Sequence, residues 1–432
     1  MAPDETSTIS ERWYWSMLPY SIVSGLMTPL IIVYLMDVIG GGVLESSWAV
    51  LANAVGSVPG AVLWGYLSDK MQRRKEIIVL GFVGAGLATL GMYFTRSMEP
   101  FLLLIFAFGF LGSVAAPIAP ALVLESVRKE HWAEHLGKFN AICSGGHMLG
   151  TLTGFIWLLM FPAGLSWLFI VCLLLGLSSA FLAHAWISEP EEKIKEMPHF
   201  PHHLHVWIVE RLRYQPASLF HTPHLTRHLR DIRLHVNRKV IGFIVAVFLA
   251  FMGFTAFYAI LPAFMVLDAG IDSSLVFLVF MSQSLSSLIM HIPAGKLIDR
   301  HGYRAPIFGS TAGRSVLFAV GFPLVPLVVG LGFASFIAFF GLNFISGILW
   351  SLFSISSVAA ISGLVPKEGR SSALGVYTSM QGLGTIIGSF VMGLIAVFFG
   401  YMVAFAAIGV VIISGGILGL ATLSPKSSSS QS

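Results

Sequence analysis

Apolar residues in this chain come in long unbroken runs separated by short polar turns. Twelve runs reach the roughly 20 residues that a helix needs to cross a hydrocarbon core of about 30 Å. They lie near 13–39, 46–68, 76–95, 100–127, 134–161, 164–187, 239–267, 273–298, 305–329, 333–363, 371–398 and 401–423. Segments of this length can span lipid only as helices, which pair their backbone groups internally. The expected fold class is therefore all-α and integral to the membrane. The longest polar interruption leaves six runs on either side, dividing the chain into 1–187, a linker at 188–238, and 239–432.

The polar turns repeat. Gly65-Tyr66-Leu67-Ser68-Asp69-Lys70-Met71-Gln72-Arg73-Arg74 returns 230 residues later as Gly295-Lys296-Leu297-Ile298-Asp299-Arg300-His301-Gly302-Tyr303-Arg304. A second correspondence, at an offset of 238, links Arg128-Lys129-Glu130 with Pro366-Lys367-Glu368, and Gly146 and Gly150 with Gly384 and Gly388. The amides Asn53 and Gln283 each stand twelve residues before the glycine that opens the signature. Repeated membrane units of this kind point to a solute carrier.

Composition agrees, with 56% hydrophobic and 11% charged residues. The net charge of +4 is no argument for nucleic acid, because the cations are sorted by loop. Lys70, Arg73, Arg74, Lys75, Arg128, Lys129, Lys138, Arg300, Arg304, Lys367, Arg370 and the linker fall on one side, and Arg96 falls on the other. That side is expected to be cytoplasmic, with both termini, in a plasma or inner membrane. The polar, acidic start at 1–12 and the long first run do not resemble a cleavable signal. Cys143 and Cys172 lie inside expected spans and read as small core residues.

The linker is basic and rich in histidine, and Leu225, Leu229, Ile232 and Val236 recur at helical spacing among cations. It reads as an amphipathic helix on anionic lipid headgroups. His202, His203, His205, His224 and His228 could suggest zinc, yet no cysteine or paired carboxylate completes a shell. No metal and no cofactor is expected, and no Gly-x-x-x-x-Gly-Lys-(Ser/Thr) sequence occurs, so gradients must supply energy.

With these motifs assembled, the chain resembles the major facilitator superfamily from about Trp13 to Leu423. The second signature fits that family's loop pattern at Gly295, Asp299, Arg300, Gly302 and Arg304. The first fits at Gly65, Asp69, Lys70, Arg73 and Arg74 but carries Gln72 where the family has glycine. The resemblance implies two pseudo-twofold six-helix bundles rocking around a central site. It also implies a cytoplasmic latch in which Asp69 and Asp299 face helix N-termini across the halves and cations pair with acids such as Glu125. Glycine at 65 and 295 should permit close helix approach. The stripes Gly146, Gly150, Gly154 and Gly384, Gly388, Gly393 are expected where the halves slide past one another. The family's drug antiporters carry a proline-containing glycine motif in the fifth span, and it is missing here.

Polar residues inside spans are costly and mark candidate sites. Asn140, Ser144, His147 and Thr151 share one face of the fifth run, with His147 the leading candidate for hydrogen bonding or proton transfer. Twelve residues of helix put Asn53 and Gln283 about 18 Å from the signature turn. Thr28, Thr255, Tyr258, Asn343, Trp350, Gln381 and Thr385 stand at similar depth. The fourth run carries Phe108 where proton-coupled members of the family often carry arginine, and no acid stands at mid-depth. Arg314 is expected to snorkel from a peripheral helix to the headgroups, and His291 to be satisfied by packing. The function expected is that of a monomeric carrier, not an enzyme. Its cargo would be a small organic solute, neutral or amphipathic, moved by facilitated diffusion or by coupling through His147. The alternatives are a proton-linked exporter of hydrophobic compounds and a transport-dead receptor.

Overall fold

In the computed structural model, residues 11–71, 73–126, 132–187, 238–365 and 370–423 are described, and among them every extended element is a helix. Twelve are long and apolar enough to cross a membrane. The first six are α1 (Glu11–Ile39), α2 (Val43–Met71), α3 (Arg74–Phe94), α4 (Met98–Gly112 continued by Ala115–Ser126), α5 (Trp132–Met160) and α6 (Trp167–Trp186). The second six are α7 (Arg238–Asp268), α8 (Ser273–His301), α9 (Arg304–Val328), α10 (Phe333–Leu364), α11 (Arg370–Phe399) and α12 (Tyr401–Thr422). The linker, with its expected lipid-facing helix and its histidines, lies outside the described residues apart from Arg238.

The repeat continues in backbone detail. Helices α2 and α8 are both 29 residues long. Both α1 and α7 end in a π-helical turn, Leu35–Ile39 and Phe264–Asp268. The chain then leaves each through a left-handed glycine, Gly40 at φ 79° and Gly270 at φ 62°, which a side chain would strain. Gly302 ends α8 at φ 79°, which explains the glycine in the second signature. Gln72, its counterpart, lies outside the described residues. Two expected runs are interrupted instead of continuous. Pro117 has no N–H to offer the Ser113 carbonyl, and α4 breaks there, with Ala116 N–H bonding Ser113 at 3.1 Å. Helix α9 takes a π turn at Leu317–Gly321 just before Pro323.

The glycine stripes divide between two jobs: Gly154 and Gly393 lie between the bundles as expected, whereas Gly146, Gly150, Gly384 and Gly388 lie inside a bundle. A Cβ on Gly146 or Gly150 would overlap Ser21 or the Ile22 carbonyl of α1, and one on Gly384 or Gly388 would overlap the Phe248 or Met252 carbonyl of α7. These are seams inside a bundle, locking α1 to α5 and α7 to α11 at backbone contact. Such contact lets the two backbones approach closely and fixes a crossing. Contact between the bundles runs mainly through α5 with α8 and α2 with α11. There, glycines meet side chains: Gly154 meets Phe277, Gly382 meets Val58, and Gly393 meets Ser47. The end remote from the two signatures is plugged by Ile32 and Met36 of α1 packed on Ala263 of α7, with Val43, Val50 and Val266 around them.

Candidate solute site between the bundles

Below that plug, two cavities lie at mid-depth. The larger, of about 480 Å³, is lined from the first bundle by Gly25, Thr28, Asn140, Ser144, His147 and Thr151. From the second it is lined by Tyr258, Phe280, Gln283, Ser287, His291 and Trp350. The smaller, of about 330 Å³, is lined by Asn53, Ser24, Ser57, Ser113 and Phe108 among others. It shares Thr28 and His147 with the larger. The polar face read on α5 is therefore one wall, and the amides Asn53 and Gln283 each line one of the two spaces.

His147 is held at the junction. Its Nδ1 donates to the Cys143 carbonyl at 2.9 Å, so Nε2 of the neutral ring is left as an acceptor. Cys143 packs against the core as expected and also lines the larger cavity, whereas Cys172 is fully buried. His291 bonds the Ser287 carbonyl and lies 3.2 Å from Ser351 Oγ, as its packing role requires, yet its ring also reaches the cavity wall.

Four candidates do not line either cavity. Thr255 and Thr385 return their hydroxyls to the Phe251 and Gln381 carbonyls of their own helices, because an apolar span supplies a threonine with no nearer acceptor. Gln381 also lies outside both linings. Asn343 is fully buried; its Nδ2 donates to the Val279 carbonyl at 2.6 Å and its Oδ1 accepts from Tyr258 Oη at 3.2 Å. It fastens the wall from behind.

Arg314 overturns the snorkelling expectation. It is 1% exposed and sits inside the second bundle. Its guanidinium lies 4.4 Å from the Phe254 ring centre, 5.2 Å from Trp350, 5.3 Å from Phe318 and 5.9 Å from Tyr258. Nη2 donates to Ser346 Oγ at 3.1 Å and to Tyr258 Oη at 3.4 Å, while Nε and Nη1 have no hydrogen-bond partner. The α-helical part of α9, Arg304–Val316, is polar on one face with Ser310, Thr311, Arg314 and Ser315 buried, which turns Arg314 inward. That run of polar residues was the available sequence signal. Rings contribute about 0.5–2 kcal/mol each to a buried cation, against a desolvation cost of several kcal/mol.

At the signature end, Arg304 donates to the Leu420 carbonyl at 3.2 Å, tying α9 to α12 within its own bundle. Arg73 pairs with Glu76 at 3.1 Å on its own helix, and Arg74 is buried. A Cβ on Gly65 would stand 3.3 Å from the Pro117 side chain, whereas one on Gly295 would meet nothing within 4 Å. Among the described residues, no close approach of the kind expected at Gly295 is found. The side chains of Asp69, Lys70, Glu125, Asp299 and Arg300 lie outside the described set.

A polar cavity shared by two pseudo-equivalent helical bundles defines a membrane carrier. The sequence model of the Major Facilitator Superfamily matches residues 14–312 and 243–432, and the chain belongs to that family. No curated protein matches it. Among solved structures, the chain is similar to a mutant of the nucleoside transporter NupG, at TM-score 0.72 and 13% identity, covering 96% of this chain and 99% of that one. It is also similar to a D-xylose-proton symporter, at TM-score 0.70 and 15% identity over 97% and 98% of the two chains. A POT family transporter in complex with 5-aminolevulinic acid superposes at TM-score 0.69 and 12% identity over 95% of each. Identities this low carry the fold and not the cargo. The chain is thus a multi-pass membrane transporter and not an enzyme.

Proposed function

We propose that the protein moves a small organic solute through the cavity between its bundles by alternating access, without carboxylate-driven proton symport. The observation that carries this reading is the shared wall, in which Asn140, Ser144 and His147 of α5 face Gln283 and Ser287 of α8 across one space. Two bundles held rigid by backbone seams, and touching each other through side chains, can rock as units. Among the described residues of the lining there is no Asp or Glu, and His147 and His291 are the proton carriers this reading assigns if a proton moves. Latching by Asp69, Lys70, Glu125, Asp299 and Arg300 is part of the same proposal, with Asp69 and Asp299 facing the N-terminal ends of α11 and α5.

Cysteine accessibility tests it. Single cysteines replacing Ser284 at the cavity and Val50 beside the plug are expected to react with impermeant reagents from opposite faces of the membrane. Solute screened by thermal shift should alter both rates. If neither rate responds to any stabilising solute, the transport-dead receptor becomes the better account. The proton-linked exporter is favoured only if an imposed pH gradient drives uptake and His147→Ala removes that dependence.

A further inference from the structure

The unbalanced charge behind the cavity wall bears on what the cavity admits. Arginine stays protonated in proteins, so Arg314 is a permanent cation in the second bundle. Among the described residues no carboxylate forms an ion pair with it. Its hydrogen bonds go to two hydroxyls, Tyr258 Oη and Ser346 Oγ, and two of its nitrogens have no partner. Tyr258 and Trp350, both in contact with the guanidinium, are themselves lining residues of the larger cavity. Arg314 therefore stands one side chain behind that wall. The other titratable groups on the wall are His147, His291 and Cys143, none of which is a carboxylate.

We infer that the larger cavity selects solutes bearing a negative charge, such as a carboxylate, seated against Tyr258 and Gln283, with Arg314 as the positioning residue that sets the selection. Tyr258 Oη accepts from Arg314 Nη2, and its single proton, which goes to Asn343 Oδ1 in this structure, would turn to an anion seated in the cavity. An anion bonded to it would lie about 6 Å from the guanidinium, adding a hydrogen bond of about 2.7 Å to the 3.4 Å already present. For unit charges at that distance and an effective permittivity near 20, the preference for an anion over a neutral isostere is roughly 100-fold. Apolar surroundings sharpen the effect, because Phe254 and Phe318 keep water from the cation's far side. This rests on the carrier reading and replaces the neutral cargo that the paired amides alone suggest.

The test needs no knowledge of the solute. In a Cys143→Ser, Cys172→Ala background, Gln283→Cys supplies a thiol in the wall. Its reaction rates with sulfonatoethyl methanethiosulfonate, an anion, and trimethylammonioethyl methanethiosulfonate, a cation, are measured in proteoliposomes and divided by the rates for free 2-mercaptoethanol. The quotient of the two normalised rates cancels the thiol's own ionisation. It is expected to favour the anion by about tenfold or more. Arg314→Gln should lower it by about tenfold, and Arg314→Lys should keep it within about threefold. A quotient at or below one in the Arg314 protein overturns the proposal even if Arg314→Gln fails to fold. So does a high quotient that Arg314→Gln leaves unchanged, or a thiol that neither reagent reaches. Reaction from only one face under all conditions would sink alternating access while leaving the charge selection standing.

Discussion

Equivalent places in the two bundles are built from opposite chemistry. Ten residues into α3 stands Gly84, and ten residues into α9 stands Arg314. The Asn53 carbonyl backs onto Gly109 and the Gln283 carbonyl onto Gly347, which brings Phe108 of α4 level with Ser346 of α10. Gly150 meets the Ile22 carbonyl and Gly388 the Met252 carbonyl, which brings Thr28 level with Tyr258. The first bundle thus has Thr28, Phe108 and Gly84 where the second has Tyr258, Ser346 and Arg314. Leu111 fills the space beside Gly84. The fold was duplicated, and the charge at this depth belongs, among the described residues, to the second copy alone. A twofold scaffold fixes helix crossings through backbone contacts, which are shared, and leaves the interior chemistry of each half free to diverge.

Forcing the first bundle to imitate the second should have the largest effect. Gly84→Arg would place a cation against Leu111, with Phe108 where the second bundle has Ser346 and with the Thr28 hydroxyl given to the Ser24 carbonyl, at a cost on the order of 5 kcal/mol or more. Folded protein recovered by size exclusion in detergent should fall to a small fraction, and normal recovery would mean that Arg314 needs no special surroundings. Breaking what the halves share comes next. Gly150→Leu and Gly388→Leu should each destabilise by about 3 kcal/mol or more, since the new side chain must displace a backbone carbonyl. Two variants with unlike losses in thermal unfolding would show that the seams are not equivalent.

Smaller effects sharpen the contrast at the polar cluster. Tyr258→Phe removes the hydroxyl that joins Asn343, Ser346 and Arg314, and should lower stability by about 1–3 kcal/mol. Thr28→Val removes a hydroxyl bonded only to the Ser24 carbonyl of its own helix, and should stay within about 0.5 kcal/mol. Parallel melting of the two proteins checks the pair, and equal shifts would erase the difference claimed between the bundles.

Much of the candidate site was legible from spacing alone. Asn140, Ser144, His147 and Thr151 fall on one face at helical period, and all four reach the larger cavity. Gln283 and Asn53 were found by their equal distance from the repeated glycine, and each lines a space. Depth, however, says nothing about azimuth across helices. Asn343 and Trp350 stand two turns apart on α10, yet Trp350 faces the cavity while Asn343 faces Val279 of α8. A serine in an apolar span so often bonds its own helix that its position alone marks no site. Ser346 became visible only when α9 brought Arg314 beside it.

The chain's order of residues by itself determined the twelve spans, their two-fold repetition and the positions where helices must end. Those features depend on hydrophobic length, proline and left-handed glycine, all of which act locally. Tertiary structure alone decided which neighbour each glycine stripe meets and that Arg314 turns into the bundle and not out to lipid. It also decided that the bundles touch through side chains. Each of these is a choice among partners distant in sequence, and the energy that settles it arises only when the helices are already packed.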